Sequence, residues 1–207
     1  MKKISAIALS FCLLATFASC EEEEEENKIT GVDNLFGDYS MTDIHWSGLA
    51  VDINRDKIGR WELIDEFKKQ FGYYEPSYIA HIEQEESEYS NDKEVKFNFV
   101  VPYPHYYISS EGEWICSCIK ELKMTLRTSS KYVDQNTLSA IQNFKIQEDI
   151  DNDDPFLANI TEMGAMVIDF EKRIFKVRIH CKLPHYSGEQ QELSESYLYY
   201  TFVGDKK

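Results

Sequence analysis

Apolar positions along most of this chain recur at every second residue, the period of a strand with one buried face. EVKFNFVVPY (94–103) is the clearest instance and sets Val95, Phe97, Phe99, Val101 and Tyr103 on one side. WICSCIKELKMTLR (114–127) alternates again, with Trp114, Cys116, Cys118, Leu122, Met124 and Leu126 together. Lys120 interrupts that face, which predicts a bulge or register shift. Residues 164–183 read as a hairpin in which Met166, Ile168 and Phe170 face Phe175, Val177, Ile179 and Cys181. Tyr78, Ala80 and Ile82 alternate inward, and Leu35 to Trp46 forms a first strand passing through Gly37. LSESYLYYTFV (193–203) is apolar on both faces near its end, as a central strand is.

One segment has the helical period instead. In RWELIDEFKKQFG (60–72), Trp61, Ile64 and Phe71 share a stripe, with Leu63 and Phe67 beside it. Acids come early, Lys68 and Lys69 late, and Gly72 is placed to end it. With no internal repeat and no second linker, residues 35–207 predict one all-β, mainly antiparallel domain, a small barrel or β-sandwich with one short early helix.

The N-terminus follows other rules. Lys2 and Lys3 precede an apolar run, Ile4 to Phe17, that is too short to span a bilayer. Phe17-Ala18-Ser19-Cys20 looks like a bacterial lipobox, so residues 1–19 are expected to be a lipoprotein signal peptide and Cys20 the lipidated residue. Each buried methylene of such an anchor contributes roughly 0.8 kcal/mol, so several chains hold where one does not. Ordinary cleavage after an A-x-A-like site is the alternative, since Ala15 and Ala18 are available. Glu21 to Glu26 repel one another and contain nothing to bury, so residues 20–34 are expected to be an acidic disordered tether.

Charge narrows the partners. The chain carries 37 Asp and Glu against 22 Lys and Arg, a formal net charge of −15, which repels nucleic acid. No basic cluster or recognition motif offsets it, so no nucleic-acid partner is expected. Cys116, Cys118 and Cys181 are an odd set that excludes a dense disulfide scaffold. Cys181 could bridge to Cys116 or Cys118 if their strands are neighbours; otherwise all three are buried thiols.

The most suggestive polar spacing is Asp52-x-Asn54-x-Asp56, which opens as calcium loops do. Lys57 stands where such loops need glycine, and Leu63 where they close on a glutamate; Asp65 or Glu66 is the candidate substitute. The alternative is an Asx-rich turn leading into the helix. The run Asp149, Asp151, Asp153 and Asp154 is expected to be a solvated loop. In VVPYPHYYIS (100–109), Pro102 and Pro104 are expected to disrupt the ladder, and the favoured expectation for Tyr103, Tyr106 and Tyr107 beside Trp114 is a strand end folded over the barrel mouth; the competing one is a ligand-binding cluster for a sugar or peptide. No serine elbow is present and no cysteine sits in a polar setting near histidine, so no catalytic residue is assigned.

Leu35-Phe36-Gly37-Asp38-Tyr39, then Val51-Asp52-Ile53-Asn54-Arg55-Asp56, then the helix from Trp61 to Phe71 together resemble lipocalin-like surface lipoproteins of the Bacteroides type. The acidic run behind Cys20 is similar to the export signal of that group. The resemblance implies a lipocalin-like β-fold and display on the outer membrane, with the periplasmic face as the alternative; it carries no known ligand. The expectation is therefore a surface-tethered, non-catalytic binding or interaction module for a small apolar ligand, glycan or peptide. A glycan-binding accessory or hydrolase acting on extracellular polysaccharide is the competing expectation, and a structural envelope component a third.

Overall fold

The inward alternation of Val95, Phe97, Phe99, Val101 and Tyr103 is realised: all five are buried, and the strand that carries them continues to Ile108. The computed structural model describes residues 31–71, 79–86, 93–129, 138–140 and 154–205, so Cys20 and most of the acidic tether lie outside it. A 3-10 turn, Gly31–Leu35, leads into β1 (Gly37–Trp46), followed by α1 (Ile64–Phe71), β2 (Ile79–Glu86), β3 (Lys93–Ile108), β4 (Trp114–Ser129) and β5 (Leu138–Ala140). A single helical turn, α2 (Pro155–Ala158), precedes β6 (Glu162–Asp169), β7 (Ile174–Ser187) and β8 (Gln190–Gly204).

The strands form one antiparallel sheet in the order β4-β3-β2-β1-β8-β7-β6-β5. Every strand pairs with its chain neighbour except β4 with β5, and the ends of the chain meet where β1 pairs with β8. The topology is an up-and-down meander with its ladder open between β4 and β5. An all-β antiparallel fold is thus present, as one open sheet; neither a fully closed barrel nor a two-sheet sandwich forms among the described residues.

The sheet nevertheless curls on itself. Laid flat, β3 and β7 would stand about 19 Å apart at the ~4.8 Å strand spacing, whereas the rings of Phe97 on β3 and Phe175 on β7 lie 5.8 Å apart. Phe175 also stacks on Phe202 at 4.8 Å and meets Tyr39 edge-on at 5.0 Å. The Tyr200 hydroxyl crosses from β8 to donate to the Pro102 carbonyl at 2.7 Å. Aromatic rings fill the inside of the curl.

Bulges set which residues look inward. Opposite the His105–Tyr106 step of β3, β4 carries Ser117 as an extra residue, so the predicted irregularity falls at Ser117 and not at Lys120. The β6–β7 hairpin is present with the β7 face as expected and the β6 face reversed: Phe175, Val177, Ile179 and Cys181 are buried, but the first three oppose Val167, Ala165 and Met163, while Met166 and Ile168 are only partly buried. The run is apolar on both faces, so its period could not choose between them, and a bulge at Ile168 offsets the strand before the turn.

Arg173, in the β6–β7 turn, ties the chain ends together. Its guanidinium donates to the Phe36 carbonyl at 3.0 Å and to the Asp205 carbonyl, and lies 4.9 Å over the Tyr39 ring. A Cβ at Gly204 would come within 2.9 Å of the Arg173 side chain, so the glycine is what allows the approach. Lysine has no planar fork to reach both carbonyls. Arg173→Lys is expected to lower unfolding free energy by about 2 kcal/mol, on the scale of lost hydrogen bonds to a charged group, read as a lower urea midpoint at unchanged slope.

Candidate functional site

At the end of the sheet away from Arg173, residues 47–63 leave β1 and double back beside it. The Trp46 and Leu63 amides donate to the Trp61 and Ile44 carbonyls at 2.8 Å each, and Val51 and Arg60 bond reciprocally at 3.0 and 2.8 Å. Two indole N–H groups hold the turn: Trp46 donates to the Leu49 carbonyl and Trp61 to the Gly48 carbonyl, each at 2.9 Å. A Cβ at Gly48 would sit 2.6 Å from both the Ser194 hydroxyl and the Trp46 ring, so only glycine fits there. Trp61 is spent on this contact and is exposed, not part of a helical stripe; α1 begins at Ile64 and buries Leu63, Glu66 and Phe67.

The polar tip of the loop organises itself. Asp52 accepts from the Asp56 and Lys57 amides at 3.1 and 2.8 Å, Asn54 Oδ1 from the Asp56 amide at 2.9 Å, and Asp56 Oδ1 from the Ile58 amide at 2.9 Å. Arg55 and Lys57 take left-handed backbone with φ of 58° and 67°, so Lys57 adopts the conformation for which glycine is the usual choice. Glu66, 0% exposed, reaches back from α1 and accepts from the Ile53 and Asn54 amides at 3.2 and 3.1 Å. Arg60 bridges the two halves, pairing with Glu66 and with Asp56 at 2.9 Å; that contact holds the Asp56 carboxyl below its ordinary range.

Glu66 therefore closes the loop as a calcium ligand would, but on backbone amides and a guanidinium. The donor set does not fit calcium in this arrangement, because Arg60 occupies the position between Asp56 and Glu66 where the ion would sit. A group of three or more His, Cys, Asp or Glu side chains able to hold a metal does not occur among the described residues.

The predicted aromatic cluster divides. Tyr103, Tyr106 and Trp114 are 5%, 2% and 8% exposed and belong to the interior, whereas Tyr107 is 49% exposed. The prolines do not end the ladder: the pairing of β3 with β4 runs through both to Ile108, and among the described residues β3 pairs with β2 only as far as Phe99. Two residues apart, Pro102 and Pro104 lack their N–H groups on the same side of the strand, which an outer segment tolerates. Tyr103 stacks on Phe156 of α2 at 5.4 Å. Asp154 is likewise no solvated acid: buried, it caps α2 through the Phe156 amide at 2.9 Å and pairs with His105. Asp149, Asp151 and Asp153 lie outside the described residues.

The accessible residues lie elsewhere at this end. Leu49, Ile58, Trp61, Tyr107, Ile108, Tyr186 and Leu193 are the exposed large hydrophobic side chains of the described residues. They come from the 47–63 loop, the end of β3 and the β7–β8 hairpin. Gln191 of the β7–β8 hairpin bonds both the amide and the carbonyl of Trp114, at the start of β4, at 2.6 and 2.9 Å. Between the loop tip and the β7–β8 turn lies a half-open groove of about 700 Å³ that includes Asp52, Arg55, Lys57, Tyr186 and Glu189. Arg55 donates to the Tyr186 hydroxyl at 3.5 Å and lies 3.7 Å from Glu113. Sequence alone offers no signal for this meeting, since 131 positions separate Arg55 from Tyr186.

The chain was compared with protein-family profiles, curated proteins and solved structures. None matches.

The three thiols in the domain are free, with Cys116 and Cys181 buried and Cys118 partly so; β4 and β7 are not sheet neighbours. Burial pushes the Cys116 thiol up to about 12 and raises Cys181 further still. A soluble form starting at Glu21 is expected to release one equivalent promptly to a thiol reagent at mild alkaline pH, from Cys118, and the rest only on unfolding. Glu66→Ala leaves two amides without an acceptor and is expected to cost about 3 kcal/mol in chemical denaturation. While Arg60 holds its place, the melting temperature is expected to be unchanged by chelator; a rise with added calcium would show the ion displacing it.

Proposed function

We propose that this protein is a lipid-anchored surface module that binds a ligand without transforming it, carried on an acidic tether from Cys20. The observation that carries the reading is the concentration of exposed apolar side chains at one end of the sheet, around a polar groove. Such grouping marks a contact surface more often than scattered single residues do. The lipobox-like FASC, the glutamate run and the likeness to Bacteroides-type lipoproteins with a lipocalin-like domain support the anchor and an outer-membrane location.

Polarity along the strands supports outward display. The turn at Gly31–Leu35, where the tether joins, and Asp205 lie beside Arg173, whereas the apolar rim lies at the far end of β1. Ten residues of β1 separate the two, about 33 Å along the strand. A tether arriving at the Arg173 end turns the rim away from the anchoring surface. Among the described residues no helix is long and apolar enough to cross a membrane.

The competing readings have less behind them. A small apolar ligand would need space between Phe97, Phe99 and Val177, all buried in the ring-filled interior; Tyr199 points to the other face, beneath Lys176. For a glycan hydrolase the carboxylate pair to consider is Asp43 and Glu62, on the outside of β1 and its returning loop. Burial and hydrogen bonding with Glu62 raise the Asp43 carboxyl, and Glu62 bonds His45 at 2.7 Å. Two carboxylates in direct contact leave no room for the sugar and water that such chemistry places between them.

Cys20→Ala is expected to move the protein from the detergent to the aqueous phase in a phase-partitioning assay, and external protease is expected to digest the wild type on intact cells. Tyr107→Ala combined with Tyr186→Ala is expected to abolish retention on glycan and peptide arrays while leaving the melting temperature within a degree or two, as for exposed positions. Retention unchanged in the double variant would remove the rim from the reading.

A further inference from the structure

The groove beside the rim has a chemistry of its own, and the ligand class it selects rests on the protein being a binding module. Its walls carry two cations, Arg55 and Lys57, two carboxylates, Asp52 and Glu189, and the half-exposed ring of Tyr186. The remaining lining includes Ala50, Gly59 and Gly188, which place backbone or a single methyl at the surface. A Cβ at Gly188 would meet nothing within 4 Å, so this part of the wall stands open.

The charges are not equally committed. Both oxygens of Asp52 accept amides from its own loop, which ties that carboxylate down. Arg55 has Glu113 at 3.7 Å, on the β3–β4 turn outside the groove lining. Among the described residues no carboxylate forms an ion pair with Lys57. Both cationic residues stand in left-handed backbone, a conformation unfavourable for a non-glycine residue that lasts only where the surroundings enforce it. Here the Asp52, Asn54 and Glu66 acceptors enforce it, and the result is two cations on one loop tip at the groove. In a chain of net charge −15 that is an unusual local balance.

Few ligand classes suit such a surface. An apolar chain would desolvate four ionisable groups without pairing them. A long polyanion such as nucleic acid would extend past the two cations of the groove and meet Asp52, Glu189 and the overall negative field along its length, which a short oligosaccharide does not. A neutral sugar would use the carboxylates and the ring and leave the cations idle. A sugar bearing a carboxylate uses all of them: the Arg55 fork can take the carboxylate in two parallel bonds, Lys57 adds a second positive contact, Glu189 accepts hydroxyls, and the Tyr186 ring lies against a pyranose face. The volume of about 700 Å³ falls in the usual range for small-ligand sites and suits a short oligosaccharide.

We infer that the groove between the 50–59 loop and the β7–β8 turn binds an acidic saccharide, with Arg55 and Lys57 taking its carboxylate and Tyr186 its ring face. Titration calorimetry with short oligosaccharides of galacturonate, alginate and hyaluronan tests it, using carboxyl-reduced galacturonate as the neutral control. At least one acidic probe is expected to bind, more weakly as salt is raised, and its reduced form to bind at least tenfold more weakly. Arg55→Gln and Lys57→Gln are each expected to weaken binding about tenfold or more, as removal of a charge-assisted bond does, with unchanged circular dichroism. Arg55→Lys is expected to restore only part of the loss, because an ammonium cannot form the paired bonds. Equal affinity for the acidic and reduced probes, or indifference to both Gln variants, overturns the inference. If only neutral oligosaccharides bind, with loss on Tyr186→Ala, the acidic class falls and the binding-module reading stands. If no saccharide binds, this inference falls, and the binding-module reading is then decided separately by the peptide array.

Discussion

The fold depends on one long-range pairing, that of β1 with β8. Each of the other ladders joins strands adjacent in the chain, but this one must bring together residues from its two ends, such as Tyr39 and Gly204. Closing so long a loop costs entropy that local turns do not, and Arg173 is placed to offset it. Its guanidinium is buried without a carboxylate partner at hydrogen-bond distance among the described residues; it binds two carbonyls and lies over the Tyr39 ring. Burial pushes the Tyr39 hydroxyl up to about 12 even though Arg173 pulls the other way, so the ring stays neutral at ordinary pH. The clamp is therefore built from hydrogen bonds and a π face, and its strength changes little across the pH range in which carboxylates titrate.

With the ends joined, the rest of the architecture follows from side-chain size. The rings of Phe97, Phe175 and Phe202 occupy the inside of the curl and bring β3 to β7. Their bulk sets how far the sheet must bend, and the bulges at Thr42, Ser117 and Ile168 supply the local offsets that bending requires. Toward the loop end Tyr103 stacks on Phe156, and α2, capped by Asp154, fills the space beside it. At this end the described interior is occupied by side chains, and the groove lies outside it, between the loop tip and the β7–β8 turn.

Where one face was plainly polar, the pattern of the chain was sufficient. β3 alternates cleanly, and its inward residues are the expected ones. Where both faces are apolar, as in MGAMVI, the period could not say which side is inside, and β6 faces the other way while β7 faces as expected. The prolines misled for a related reason: their meaning depends on whether a partner strand lies on their N–H side, and that is a property of the sheet. Asp52, Asn54 and Asp56 were recognisable as either a calcium loop or a structured turn, with Asp65 or Glu66 as the acid to close the former; Glu66 is the one that reaches back, onto amides. What no local pattern conveyed is that Arg60 would be their counter-charge, or that Tyr186 and Glu189 would stand across from Arg55 and Lys57. Those contacts join segments far apart in sequence and exist only once the sheet has curled.

The two ends of the molecule thus treat their arginines in opposite ways. At the Arg173 end a buried guanidinium is consumed by backbone carbonyls and holds the strands. At the loop end Arg60 is consumed by Asp56 and Glu66, and that frees the tip to present Arg55 and Lys57 outward on backbone that would not otherwise hold them. Were Arg60 missing, Glu66 would be a buried carboxylate without its cation, a costly state. The loop thus satisfies its buried carboxylate from within the turn, through Arg60, while Arg55 and Lys57 line the groove.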